Sequence, residues 1–174
     1  PVEYAYGSLS SITHFPMTIK AILVINNLGQ ARLSRFYDSV AFDKQAEIIR
    51  DCFSQVSKRS DTVCNFLEGS KNWGGGVRLI YRHYATLYFV FAVDAAESEL
   101  GILDLIQVLV EVLDKCFEAV CELDLIFHPD KVHFIVDEVV MAGMVLETNI
   151  GEVLEAISEM SKLEAATRTA SIKA

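Results

Sequence analysis

Residues 77–94 read VRLIYRHYATLYFVFAVD, a run without Gly or Pro that is dominated by β-branched and aromatic side chains. Such a composition, interrupted only at Ala85-Thr86, predicts two antiparallel strands joined by a turn. In the second strand Leu87, Phe89, Phe91 and Val93 point one way and Tyr88, Val90 and Ala92 the other. Both faces are apolar, which places this strand in the middle of a sheet that needs helices on both sides. The helical patterns at 43–57 and 98–120 are the segments available to cover it. Ala-Thr is not the Asn-Gly or Asp-Gly pair that a two-residue hairpin favours, so a wider turn is expected there.

Working outward, Thr18 to Asn26 and Ala31 to Tyr37 form an N-terminal hairpin around Asn27-Leu28-Gly29-Gln30. Asp43 is a candidate cap for a helix whose apolar stripe is Ile49, Cys52, Phe53 and Val56. Cys64 to Glu68 reads as a short strand, and the segment containing Trp73 and Gly74-Gly75-Gly76 as a loop. Ser98 caps a long helix from Glu99 to Val120, whose polar residues form one narrow stripe. At about 100° per residue, Leu103 and Val110 fall beside that stripe and so close to the surface. After a short acidic and apolar segment, Cys121 to Phe127, His128-Pro129 starts a new helix through Val132, Ile135, Val136, Val139 and Val140, ending near Gly143. A last helix, Glu152 to Glu164, is capped by Asn149.

The 174 residues fit one domain. A chain of that size buries roughly 70% of its unfolded surface, enough for a core without staples. The division expected is an extension at 1–16, a single domain at 17–164 that starts at Met17, and a flexible tail at 165–174. The formal charge of −9 is uneven: residues 1–93 hold ten Lys and Arg against seven Asp and Glu, and residues 94–174 five against seventeen. The acidic half argues against nucleic acid or an anionic membrane as a direct partner of that surface. Cys52, Cys64, Cys116 and Cys121 form no CxxC pair and read as buried thiols of a cytosolic protein. The strand pair is too short and too β-branched for a membrane span.

Catalytic chemistry is not evident. His128 and His133 with Asp130 between them lack the four ligands of a closed zinc site, so no metal is assigned. The three glycines at 74–76 lack the Lys-Ser/Thr and helix start of a phosphate loop, so no cofactor is assigned either. Asp137 and Glu138 diverge by about 100° on a helix and suit a solvated face better than an acid/base pair. A non-enzymatic protein is expected.

Leu79-Ile80-Tyr81-Arg82, followed by Leu87-Tyr88-Phe89, resembles the signature of the small (sigma) subunits of clathrin-adaptor-type complexes. The resemblance extends from Met17 to about Leu163, through FVFAVD, KCFEAVCELDLIFH and MAGMVLET. RHYATLYF, CNFLEG and ESELGILDLIQ look most like the sigma subunit of adaptor protein complex 3. The resemblance implies a longin-like α/β (α+β) fold, a five-stranded antiparallel sheet flanked by helices on both faces with extra C-terminal helices. It implies a heterotetrameric vesicle coat with a delta-type large adaptin as direct partner and beta and mu subunits alongside. Such a coat is cytoplasmic and peripheral on Golgi or endosomal membranes, and routes cargo to lysosomes or vacuoles.

It further implies a surface that binds acidic dileucine signals in the cytosolic tails of membrane cargo. Ala85 and Leu87 match the strand positions that line this pocket, Val110 the long-helix position, and Val120 and Leu125 the positions beyond it. Arg32 matches a basic residue near the polar part of the signal, while Ala119 stands where the endocytic sigma subunit has asparagine. On pattern alone Leu87, Val120 and Leu125 read as ordinary core. The alternatives are a purely structural coat subunit without cargo contact, the small chain of another adaptor or of coatomer, and a longin-type SNARE. The last is disfavoured because no heptad coil or C-terminal span follows.

Overall fold

Residues 77–94 do form two antiparallel strands, and their register leaves only Ala85 and Thr86 in the connection, because Tyr84 pairs with Leu87. The structure, a computed structural model, describes residues 19–59 and 65–172. Its elements in chain order are β1 (Ile19–Asn26), β2 (Ala31–Phe36), α1 (Phe42–Val56), β3 (Phe66–Glu68), β4 (Val77–Tyr84), β5 (Leu87–Asp94), α2 (Glu99–Phe117), α3 (Glu122–Phe127), α4 (Pro129–Val139), β6 (Val140–Met141), β7 (Met144–Val145) and α5 (Ile150–Ile172). The expected extension at 1–16, the start at Met17 and the first residue of the strand expected at Cys64 lie outside the described residues.

The main sheet has the order β2-β1-β5-β4-β3, with every pairing antiparallel. β5 is the middle strand, as its two apolar faces require. Leu87, Phe89, Phe91 and Val93 join a core with residues of α2, α4 and α5. Val90 and Ala92 join a second core under α1, together with Leu23, Ile25 and Leu79. The sheet therefore lies between one helix on one side and a helical layer on the other, the α/β architecture expected.

Several boundaries depart from the sequence reading, each for a local reason. The β4–β5 turn is a two-residue one after all. Ala85 accepts a φ of 52° to close it, a left-handed conformation that glycine normally supplies. Asp43 lies inside the first turn of α1, whose cap position is Ala41 with no side-chain hydrogen bond. The stripe that α1 buries is Ile48, Cys52 and Val56, one residue earlier than expected at its start, with Ile49 and Phe53 on its flank. Ser98 caps α2 as read, its hydroxyl accepting from the Gly101 N–H at 3.2 Å. However, α2 ends at Phe117, because Glu118 and Ala119 turn left-handed at φ 52° and 81°. Asp114 fastens that end: its carbonyl accepts from the Ala119 N–H and its carboxylate from the Val120 N–H.

Farther along, Val140 leaves the helical run to start a small hairpin closed by Ala142 and Gly143, both at positive φ. The Gly143 carbonyl then accepts from the Ile19 N–H at 3.0 Å, anchoring the hairpin to the sheet. Asn149 caps α5 through the Gly151 N–H at 2.9 Å. α5 begins at Ile150 and continues to Ile172, past the end expected at Glu164. Of the described cysteines only Cys52 is buried, where desolvation pushes its thiol up to about 12, whereas Cys116 is half-buried and Cys121 exposed. No described helix is long and apolar enough to cross a membrane.

The strained turn yields a test. Ala85→Gly removes the left-handed penalty of an L-residue, about 1–2 kcal/mol, and costs about 0.4–1 kcal/mol of unfolded-chain entropy. A net gain of about 0.5–1 kcal/mol in chemical denaturation is expected, and a loss of stability would contradict the assignment of this turn.

Candidate functional site

The strand register and a few side-chain bonds bring three chain connections to one end of the sheet. Asn26 ends β1 opposite Leu87, which begins β5 and pairs in turn with Tyr84 at the end of β4. The β1–β2 and β4–β5 turns are therefore neighbours. α2 follows β4 across the sheet. Arg78 near the start of β4 bonds Glu99 at 2.8 Å, whereas Tyr84 at its end donates to Gln107 at 2.6 Å and Arg82 to the same oxygen at 3.1 Å. Val110, one helical turn beyond Gln107, thus lies toward the same end.

The polar centre of this end is Asn26, 1% exposed at the close of a strand that is apolar from Ala21 to Ile25. Its carbonyl oxygen accepts from the backbone N–H groups of Leu28 and Gln30, and its amide donates to the Gln30 side chain and to Glu122. A buried amide is tolerated because both of its ends are satisfied. Gly29 completes the turn at φ 82°, and a Cβ there would meet the Phe53 ring at 2.8 Å. Glu122 also receives the Arg32 Nε at 2.7 Å, while another Arg32 nitrogen donates to Gln30 at 2.6 Å. α3 is thereby tied to the first hairpin across 90 residues of sequence.

Two donors hold the Glu122 carboxyl below its ordinary value of 4.5, the Asn26 amide first and Arg32 second. The neighbouring Asp124 is held down by the backbone N–H of Cys121, with which it forms a capping box at the start of α3.

The six residues singled out from sequence fall at this end in different states. Arg32 is half-buried and engaged with Glu122. Ala85 is exposed on the tight turn. Leu87 and Leu125 are only 5% and 1% exposed, members of one buried cluster against which Val110 and Val120 pack half-exposed. The two leucines thus stand as the ordinary core that their pattern indicates, and on α3 it is Leu123, Ile126 and Phe127 that face outward. Two clefts elsewhere include none of the six. One of about 400 Å³ lies between the α3–α4 junction and α5, at Phe127, Phe134 and Met160, and one of about 260 Å³ at Arg59, Tyr81, His83 and Tyr88. Sequence reading missed Asn26, Gln30 and Glu122. A lone polar residue ending the run AILVIN was the available signal for the first; nothing local marks Glu122 as its partner.

Among the described residues no group of three or more His, Cys, Asp and Glu side chains could hold a metal ion. His128 instead stacks on Phe117 with ring centroids 5.9 Å apart. The geometry is that of a sheet covered on both faces, with connections at one end tied by polar side chains. The chain belongs to the clathrin adaptor complex small chain family, whose model matches residues 18–164. This family is not one of enzymes. It is 63% identical over 147 residues to the human AP-3 complex subunit sigma-2, covering 84% of this chain and 76% of that one. It is 52% identical over 154 residues to the AP-3 complex subunit sigma of Arabidopsis thaliana, covering 88% and 93%. A chain in a homology model of the full-length AP-3 complex in a stretched open conformation superposes with a TM-score of 0.68 at 38% identity, covering 87% of this chain and 98% of that one.

The depressed Glu122 carboxyl fixes a pH dependence. A lowered folded-state value means that its bonds stabilise the fold fully above the ordinary value of 4.5 and are lost as pH falls through the depressed one. Asn26→Ala removes the larger cause, so the Glu122 carboxyl, followed by NMR, should titrate closer to 4.5. An unmoved titration would mean that Asn26 does not set it.

Proposed function

We propose that this chain is the small subunit of an AP-3-type vesicle coat adaptor, held by a delta-type large adaptin beside beta and mu subunits. In that complex it reads acidic dileucine signals in the cytosolic tails of membrane cargo bound for lysosomes or vacuoles. Its association with Golgi or endosomal membranes is peripheral, made through the complex. The observation that carries this reading is the convergence of Arg32, Ala85, Leu87, Val110, Val120 and Leu125 on one end of the sheet, in a chain of the adaptor small chain family.

Energetics fit a weak reader. Burying two ligand leucines contributes roughly 1.5–3 kcal/mol each, whereas a micromolar complex needs about 8 kcal/mol. Backbone hydrogen bonds and attraction between acidic signal residues and cations, Arg32 among them, supply the remainder. Leu87 and Leu125 are only 5% and 1% exposed, so a signal leucine reaches them only if the side chains covering them move. That opening cost lowers the observed affinity. A coat compensates by engaging many tails on one membrane.

The closed state of Leu87 and Leu125 also favours a second reading, a purely structural subunit with no cargo contact. Val110→Asp separates the two. In the assembled complex, a carboxylate at this half-exposed position should weaken a dileucine peptide by about tenfold or more, the penalty for an unpaired polar group against an apolar ligand. Isothermal titration of wild type and variant gives the answer. Equal affinities in equally assembled complexes would leave only the structural role.

A further inference from the structure

If this end of the sheet reads acidic dileucine signals, the charge meant to meet the signal's acid is already occupied. Arg32 Nε lies 2.7 Å from the Glu122 carboxylate, a second Arg32 nitrogen donates to Gln30 at 2.6 Å, and the side chains of Arg32 and Glu122 are 22% and 26% exposed. An approaching carboxylate therefore meets a neutralised ion pair rather than a free guanidinium. The opposing acid is not a loosely held surface side chain. Its Oε1 is also held by the Asn26 amide at 2.8 Å, and the Asn26 side chain is itself fixed by three further hydrogen bonds.

From this geometry we infer that Glu122 is a resident competitor for Arg32, a residue that sets how strongly the site prefers acidic signals. One turn farther along α3, Leu125 fills the same buried cluster as Leu87. The short helix thus places a carboxylate on the arginine and a leucine in the core, the same pair of chemistries that an acidic dileucine peptide presents. Cargo that binds exchanges the α3 carboxylate for its own and displaces α3 from the end of the sheet. The number of ion pairs is conserved in the exchange, so the acid of the signal adds less affinity than a free arginine would allow. Glu122 holds the affinity low and makes it depend on a rearrangement that the rest of the coat can favour or oppose.

The test uses the assembled complex and two peptides that differ only by Glu or Gln at the acidic position. Glu122→Gln keeps an acceptor for Asn26 and removes the competing charge. It is expected to tighten the Glu peptide by about fivefold, the size of a partly exposed ion pair, and to leave the Gln peptide within about twofold. In an Arg32→Gln background the gain should vanish, since the competition needs both partners. An equal gain for both peptides, or a loss for the Glu peptide, overturns the inference while leaving cargo binding intact. If neither peptide binds wild type or variant, the cargo reading itself fails and the competitor role falls with it. Should Glu122→Gln fail to assemble, a peptide-bound structure of the wild-type complex decides. The Arg32 and Glu122 side chains more than 4 Å apart with the signal's carboxylate between them support competition, and an intact pair refutes it.

Discussion

Everything in this molecule depends on β5 being apolar on both faces. Phe89 and Phe91 on one side and Val90 and Ala92 on the other are at most 2% exposed. Neither face can be left to water without losing roughly 1.5–3 kcal/mol for each large side chain uncovered. The sheet must therefore be a middle layer, and the chain has to supply cover twice. α1 closes the side where the strands carry Leu23, Ile25, Leu79 and Val90. α2, α4 and α5 close the side that carries Ile22, Phe89 and Phe91.

That constraint also sets the location of the candidate site. Once α2 is laid along β4 to cover the aromatic face, its end must come out where β4 turns into β5, and the chain has to reverse there to reach α4. Glu118 and Ala119 make the reversal in left-handed conformations, and α3 follows directly. The first hairpin reaches the same place because β1 is the neighbour of β5. The cost of ending apolar strands and helices together at one corner is met by polar side chains, with Asn26, Gln30, Arg32 and Glu122 satisfying one another. The corner is joined both by these hydrogen bonds and by the buried Leu87 and Leu125 beside them.

Much of the fold was legible in the sequence. The β-branched and aromatic run at 77–94 identified both strands, its two apolar faces identified the central place of the second, and the three-to-four spacing in 98–120 identified the covering helix. Ser98 and Asn149 were readable as caps because a short polar side chain ahead of an apolar run has few other uses. Two of the errors share a physical source. Apolar spacing continues through Val120 and Val140, yet both helices stop short, α2 on the left-handed Glu118 and α4 on a bend into β6. Periodicity reports which side is buried and carries no information about a backbone that turns while still burying side chains. Ala85 behaves likewise: its identity argues against a tight turn, and the pairing of β4 with β5 imposes one.

The candidate site divides along the same line. Val110 was legible as a near-surface apolar residue because helix geometry alone places it beside a polar stripe. Leu87 and Leu125 carried no local mark to separate a ligand surface from core, and in the structure they are core. The bond between Arg32 and Glu122 spans 90 residues and could not have been read from either neighbourhood. By itself the sequence determined the burial pattern and from it the layered sheet, since side-chain alternation is a local property of the chain. Only the tertiary structure decided which charges meet at the end of that sheet. Pairing of this kind depends on where separate strands and helices terminate in space, which is settled by the packing of the whole core.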